Sequence, residues 1–227
     1  MLLAVETATR QGSVALYGAE GLTFQAELGP DPNRTLAETV AQAVADRWSE
    51  IEAYGISVGP GSFTGLRIGL SFVKGLAIAQ KKKLVPVSTL EVLAAELIEV
   101  HPGAAYYLPL LDAKKQEVYA ALYRPDRTID PILPRGLYAA IEVVARAADK
   151  AVVYGGDGAL VVSPPAGWVV ASGAPRAARL AELAWARLQA GEGQPGATVD
   201  LLYDQPAAAE RNLGLPAPPF DSGATGS

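Results

Sequence analysis

The sequence contains no cysteine and a single histidine, His101. Disulfides, thiolate nucleophiles and cysteine-ligated metals are therefore excluded, and a paired-histidine metal site cannot be assembled. A Ser-His-Asp hydrolase would have to use His101, which precedes Pro102 at the end of an apolar-periodic run and reads as a boundary or surface residue. No apolar run is long enough to cross a bilayer. Cations are also scarce: 19 Lys and Arg stand against 24 Asp and Glu, a formal charge of −5, so the chain alone is a poor ligand for tRNA or DNA. The cluster Lys81-Lys82-Lys83 reads as a solvated helix C-terminus. Met1-Leu2-Leu3-Ala4-Val5-Glu6 has no basic region and meets an acid at once, which argues against a signal peptide, and a cytoplasmic location is expected.

Half of the 227 residues are hydrophobic, enough for a substantial core in one domain or two small lobes. Leu2 to Val5 and Ser13 to Tyr17 read as strands. Leu22, Phe24, Ala26 and Leu28 alternate with polar residues in a third, so the three form an antiparallel meander. Gly29-Pro30-Asp31-Pro32 breaks the sheet. Thr35 and Glu38 then make a capping box for a helix with the apolar stripe Leu36, Val40, Val44 and Trp48. A strand through Ile56, a helix from Ser62, a strand over Leu84 to Val87, and a helix capped by Ser88 with Glu91 complete the first hundred residues. That order, β-β-β-α-β-α-β-α, is that of a ribonuclease-H-like lobe.

From Tyr106 the pattern starts again. Strands are expected over Tyr106 to Asp112, Glu117 to Tyr123 and, more weakly, Thr128 to Leu133. A helix follows from about Tyr138 to Ala148, then strands over Ala151 to Tyr154 and Trp168 to Val170, and a helix over Pro175 to Ala190. An acid closes the opening strand of each half, Glu6 and Asp112. The chain is read as a duplicated lobe, residues 1–101 and 102–212, with a flexible Pro/Gly/Ser-rich tail over 213–227.

The block Ser57-Val58-Gly59-Pro60-Gly61-Ser62-Phe63-Thr64-Gly65-Leu66-Arg67-Ile68-Gly69 joins a strand to a helix, with Ser62 as N-cap. Two uses fit it. Its backbone N–H groups could hold an anion, or Gly61, Gly65 and Gly69, four residues apart, could strip one helix stripe of side chains so that another backbone approaches. No GxxxxGK[ST] can be drawn, and G-x-G-x-x-G fails at Thr64, which favours packing.

Two facing ribonuclease-H-like lobes resemble the actin, Hsp70 and sugar-kinase architecture, a resemblance that implies ATP in the cleft between them. Glu6 and Thr7 of the first hairpin and Gly155, Gly156 and Gly158 after the 151–154 strand are the residues expected to touch a nucleotide. A strand-to-helix turn requiring positive φ accounts for Gly155-Gly156 equally. The second hairpin, Asp112-Ala113-Lys114-Lys115-Gln116-Glu117, has no glycine and two bulky cations, so an ATP-binding small-molecule kinase or ATPase is the alternative function and not the preferred one.

Val5-Glu6-Thr7-Ala8-Thr9, Gly59 to Gly69, Val87-Ser88-Thr89-Leu90 and Leu111-Asp112-Ala113 through Glu117-Val118-Tyr119 resemble, in order and spacing, the TsaB (YeaZ) family. That resemblance implies an accessory, non-catalytic subunit in making threonylcarbamoyladenosine beside the tRNA anticodon. It implies a heterodimer with TsaD, work with TsaE, and a homodimer when the chain is alone. It implies tRNA contact only through the complex and no cofactor of its own, with ATP or ADP placed at the partner junction. Many relatives have Asp at the place of Glu6 and a different segment around Tyr203-Asp204. The expected partner interface is Leu36, Val40, Gly61, Ser62, Phe63, Gly65, Leu66, Arg67, Gly69 and Leu70, with Phe63, Leu66 and Leu70 as apolar anchors and Arg67 as a polar or charge-paired contact. A metallopeptidase is a third, weaker reading.

Overall fold

The computed structural model describes residues 1–29 and 31–202. Its strands form two sheets of the same order. In the first, β1 (Leu2–Glu6) pairs antiparallel with β2 (Ser13–Gly18), which pairs with β3 (Gly21–Glu27). On its other side β1 runs parallel to β4 (Ala53–Ser57), and β4 to β5 (Lys83–Val87). In the second, β6 (Tyr106–Lys114) takes the central place, antiparallel to β7 (Glu117–Ala120), with β8 (Gly136–Ala139) beyond it. β9 (Val152–Gly155) lies parallel to β6, and β10 (Val169–Val170) parallel to β9. Three antiparallel strands followed by two parallel ones, repeated, give two ribonuclease-H-like lobes of the actin, Hsp70 and sugar-kinase architecture.

The helices are shared between the lobes. α1 (Pro32–Val44) and α2 (Phe63–Gln80) cover one face of the first sheet, burying Leu36, Val40, Leu66, Leu70 and Val73 against Val5, Leu16 and Ile56. α3 (Thr89–Val100) follows β5 in sequence but packs on the second sheet, where Leu90, Leu93 and Leu97 meet Tyr107, Leu111 and Val153. α4 (Ala140–Ala147) covers that sheet's outer face. α5 (Ala177–Gln189) crosses back and buries Leu180, Ala181 and Ala184 against Leu2, Ala4 and Val85 of the first sheet. β11 (Gln194–Pro195) then joins the edge of β5, and Val199 and Leu201 enter the first core. The boundary expected at 101/102 thus divides the strands, β11 excepted, but not the helices.

Several elements differ from expectation. The first helix begins at Pro32, so Thr35 lies inside it and its hydroxyl donates back to the Asp31 carbonyl, 3.1 Å away, in place of a cap. Ser88 stands at the start of α3 without capping it, because its hydroxyl donates to the Gly59 carbonyl; Glu91 instead receives Arg187 at 2.6 Å. Residues 128–133 make only a bridge between Tyr123 and Ile129, with the Asp130 carboxylate accepting from Ile132 N and Arg124. The third strand of the second sheet is 136–139, part of which the sequence pattern assigns to a helix. Leu22 is about half exposed, since β3 shifts register opposite Leu16 and Tyr17. The expected tail over 213–227 and the Tyr203-Asp204 segment lie outside the described residues.

Because each half holds a helix that the other half's sheet needs, residues 1–101 and 102–202 produced as separate polypeptides are expected to show no cooperative thermal transition by circular dichroism and to regain one on mixing. Independent cooperative melting of either half would contradict the exchange.

Candidate functional site

β1 delivers Glu6 to the edge of the first hairpin, and α2 starts directly over that turn. Ser62 N donates to the Ala8 carbonyl at 2.7 Å, and the Ser62 hydroxyl accepts from Gly65 N at 3.3 Å, so the N-cap is confirmed. A Cβ on Gly61 would stand 2.5 Å from the Ala8 carbonyl oxygen; one on Gly65 would collide with the Thr7 carbonyl, and one on Gly69 with the Thr7 hydroxyl. The glycine stripe is therefore occupied by the chain's own hairpin.

That placement corrects the expected partner interface. Gly61, Gly65 and Gly69 face the Thr7-Ala8 turn, and Leu36, Val40, Leu66 and Leu70 are buried in the first core, none more than 6% exposed. Of the ten residues only Ser62, Phe63 and Arg67 are exposed, with the Arg67 guanidinium 3.8 Å over the Phe63 ring. Apolar periodicity identifies a buried stripe without saying what buries it. The face left outward includes Ser71, Gly75 and Ile78, the last 56% exposed, and a Cβ on Gly75 would meet nothing within 4 Å. Their sequence signal was available: small residues at 71, 75 and 79 lie opposite the glycine stripe.

The nucleotide residues are likewise consumed internally. Glu6 is fully buried; the Ser57 hydroxyl donates to one carboxylate oxygen and Ala8 N to the other at 2.6 Å. Burial outweighs these donors and pushes its pKa from the ordinary 4.5 to about 7. The Thr7 hydroxyl is buried with no hydrogen-bond partner. A Cβ on Gly155 would stand 2.5 Å from the Ala171 carbonyl oxygen and 2.6 Å from Leu97, and one on Gly158 2.9 Å from the Leu110 carbonyl carbon. Gly156, at φ 105°, would collide with the Leu110 carbonyl. Close packing on β6 and α3, together with positive φ, accounts for this turn.

In the second hairpin Lys114, Lys115 and Gln116 all take positive φ, and both Lys114 N and its ammonium bind the Asp112 carboxylate, whose pKa is lowered chiefly by that side-chain bond. Asp157 accepts from Asp112 N at 2.9 Å. Between the lobes a cleft of about 510 Å³ is walled by Thr9, Arg10 and Gln11 on one side and Gly156, Leu160 and Val170 on the other. Of the five nucleotide residues only Gly156 lines it, so the set does not fit the group. Among the described residues no three metal-ligating side chains cluster, and no helix is long and apolar enough to cross a membrane.

A family model described as TsaD, tRNA N6-adenosine threonylcarbamoyltransferase, matches residues 33–152. A protein of Escherichia coli K12 named tRNA threonylcarbamoyladenosine biosynthesis protein TsaB is 33% identical over 129 residues, 55% of each chain. The TsaB of Haemophilus influenzae is 31% identical over 122 residues, 52% of this chain and 51% of its own. The chain thus spans about half the length of the curated relatives it matches. Among solved structures, a Pseudomonas aeruginosa protein described as similar to the peptidase YEAZ superposes with a TM-score of 0.78 at 26% identity, covering 90% of this chain and 99% of its own. YeaZ from Pseudomonas aeruginosa gives 0.75 at 25% identity, covering 89% and 98%.

Two outcomes are expected. The Glu6 contribution to stability is full below pH 4.5, declines between about 4.5 and 7 and is absent above, because the folded pKa is raised. Urea unfolding should therefore show wild type losing stability from pH 5 to 8, and Glu6→Gln should lack that slope. Separately, Gly65→Ala should cost roughly 1–3 kcal/mol or more by overpacking against Thr7, whereas Gly75→Ala on the open face of the same helix should gain about 0.5–1 kcal/mol, both read by chemical denaturation.

Proposed function

The chain belongs to the TsaB/YeaZ family, and from that premise we propose that it is a non-catalytic scaffold in threonylcarbamoyladenosine biosynthesis on tRNA. Its partner is TsaD, bound on the outward face of α2. TsaE joins the assembly, and tRNA is reached through the complex.

The observation that carries the reading is the closure of the nucleotide cradle by the chain's own atoms. The glycines that would admit a phosphate or adenosine face Leu110, Ala171 and Leu97, and the Glu6 carboxylate is already bound to Ser57 and Ala8. A lobe pair with its cleft residues spent on packing can still present surface. ATP or ADP at the junction is then held from the partner's side. The kinase or ATPase alternative lacks the phosphate-binding hairpin it needs, since Lys114 and Asp112 bind each other.

Two measurements test this. In a reconstitution with TsaD, TsaE, a threonylcarbamoyl-adenylate source and tRNA, modification should depend on this chain, while the chain alone should show no steady-state ATP turnover. Gly75→Trp should abolish co-purification with TsaD in a protein that melts as wild type does. Retained binding by Gly75→Trp would move the interface elsewhere, and ATP turnover by the isolated chain would overturn the scaffold role.

A further inference from the structure

Arg67 and Lys74, seven residues and two helical turns apart, lie on one line along α2, and Lys81 is the left-handed C-cap at its end. Arg67 and Lys81 are exposed and Lys74 half-buried on the face away from the sheet. Lys82 and Lys83 continue the charge past the helix C-terminus. From residue 53 to residue 90 the chain has no Asp or Glu at all, so all 24 of its acids lie elsewhere. α1, packed beside α2, presents the exposed Glu38, but no ion pair joins any described acid to Arg67, Lys74, Lys81, Lys82 or Lys83. A protein of net charge −5 thus carries, on and just past one helix, a cationic line that no described acid compensates.

We infer that this line specifies an acidic partner: the surface of TsaD that docks on α2 presents carboxylates opposite Arg67, Lys74 and Lys81. The inference rests on the docking function proposed above and names the chemistry that selects the partner. Small and apolar positions between the charges, Ser71, Gly75 and Ile78, let a protein surface approach closely between the cations, whereas a phosphate backbone would gain nothing from an exposed isoleucine. The Arg67 guanidinium, stacked on Phe63, is held in place for a carboxylate. The same charges work against self-association here. Two copies mated α2 to α2 bring together two helices that carry cations and no acid. The homodimer expected from the resemblance would then need a different face.

The test is stopped-flow association of the full chain with TsaD across a salt series. Three proteins are compared: wild type, the reversal Arg67→Glu/Lys74→Glu/Lys81→Glu, and the charge-keeping Arg67→Lys/Lys74→Arg/Lys81→Arg. Wild type and the charge-keeping variant should associate about 10-fold or more faster at low salt than at high salt; the reversal should lose that dependence and associate at least ~10-fold more slowly at low salt. If the reversal does not melt cooperatively, Lys74→Glu alone carries the comparison through its salt slope. A reversal that associates like wild type overturns the inference and leaves TsaD docking standing. Failure of wild type to bind TsaD at low salt overturns the docking function and the inference with it. A reversal that binds TsaD normally but loses tRNA retention in a mobility shift assigns the line to nucleic acid, and a wild-type homodimer that the reversal dissociates assigns it to a second copy; both overturn it.

Discussion

The contact on which the rest depends is between two stretches of backbone, the Thr7-Ala8 turn and the first turns of α2. It is possible only where α2 has no side chains, at Gly61, Gly65 and Gly69. The Ser62 N to Ala8 carbonyl bond then ties the helix start to the hairpin. With α2 seated this way, Leu66, Leu70 and Val73 must enter the core and Arg67, Ser71 and Ile78 must face out. The same seating closes over the hairpin, leaving Glu6 with two internal donors and no solvent. One packing decision therefore closes a potential phosphate site and aims the opposite side of the helix outward.

The two lobes share a strand order but not their accessories. Between β4 and β5 the first lobe has the 18-residue α2; between β9 and β10 the second has only a short 3-10 turn, Asp157–Leu160, and a loop containing Pro164-Pro165 that cannot continue a helix. The glycines at that turn let β6 and α3 approach instead of a ligand. α3 and α5 exchange sheets and meet between them, where Arg187 binds Glu91 and the Pro86 carbonyl, and Arg179 lies 3.6 Å from Glu99. These pairs are partly exposed and add little individually, about 0–1 kcal/mol each. The apolar burial of Leu93 and Leu97 on one side and Leu180 and Ala184 on the other holds the lobes together.

Strand order was legible in the sequence because its signals are local: alternation, Gly and Asp turns, and an acid ending each opening strand. The duplicated ribonuclease-H-like plan, the Ser62 cap and the buried stripe on α1 follow from those signals. What was not legible depends on long-range geometry. Thr35 and Glu38 form a capping box in sequence, yet Pro32 starts the helix earlier. Gly-Leu-Tyr-Ala at 136–139 pairs as a strand because β7 offers it an edge. The destinations of α3 and α5 cannot be read from periodicity, since either sheet would bury the same stripe. For the site the ambiguity was of the same kind: a glycine stripe announces close approach, and only the fold shows that the approaching backbone is residues 7 and 8.

Electrostatics adds a constraint that packing does not. Seating α2 on its glycines fixes which residues point outward but leaves their charge unconstrained, and a solvated helix of an acidic protein would ordinarily mix signs. Across 38 residues from Ala53 to Leu90 this chain places five cations and no acid. The inward residues of that stretch are explained by the core; the outward cations touch no described acid of the chain's own, and Arg67 meets the face of Phe63. Spacing by seven keeps Arg67 and Lys74 on one line of α2 with room between them at Ser71, and Lys81, Lys82 and Lys83 continue the charge at and past its end. A line of like charge beside small residues attracts opposite charge. The orientation forced by Gly65 against Thr7 is what turns that line outward.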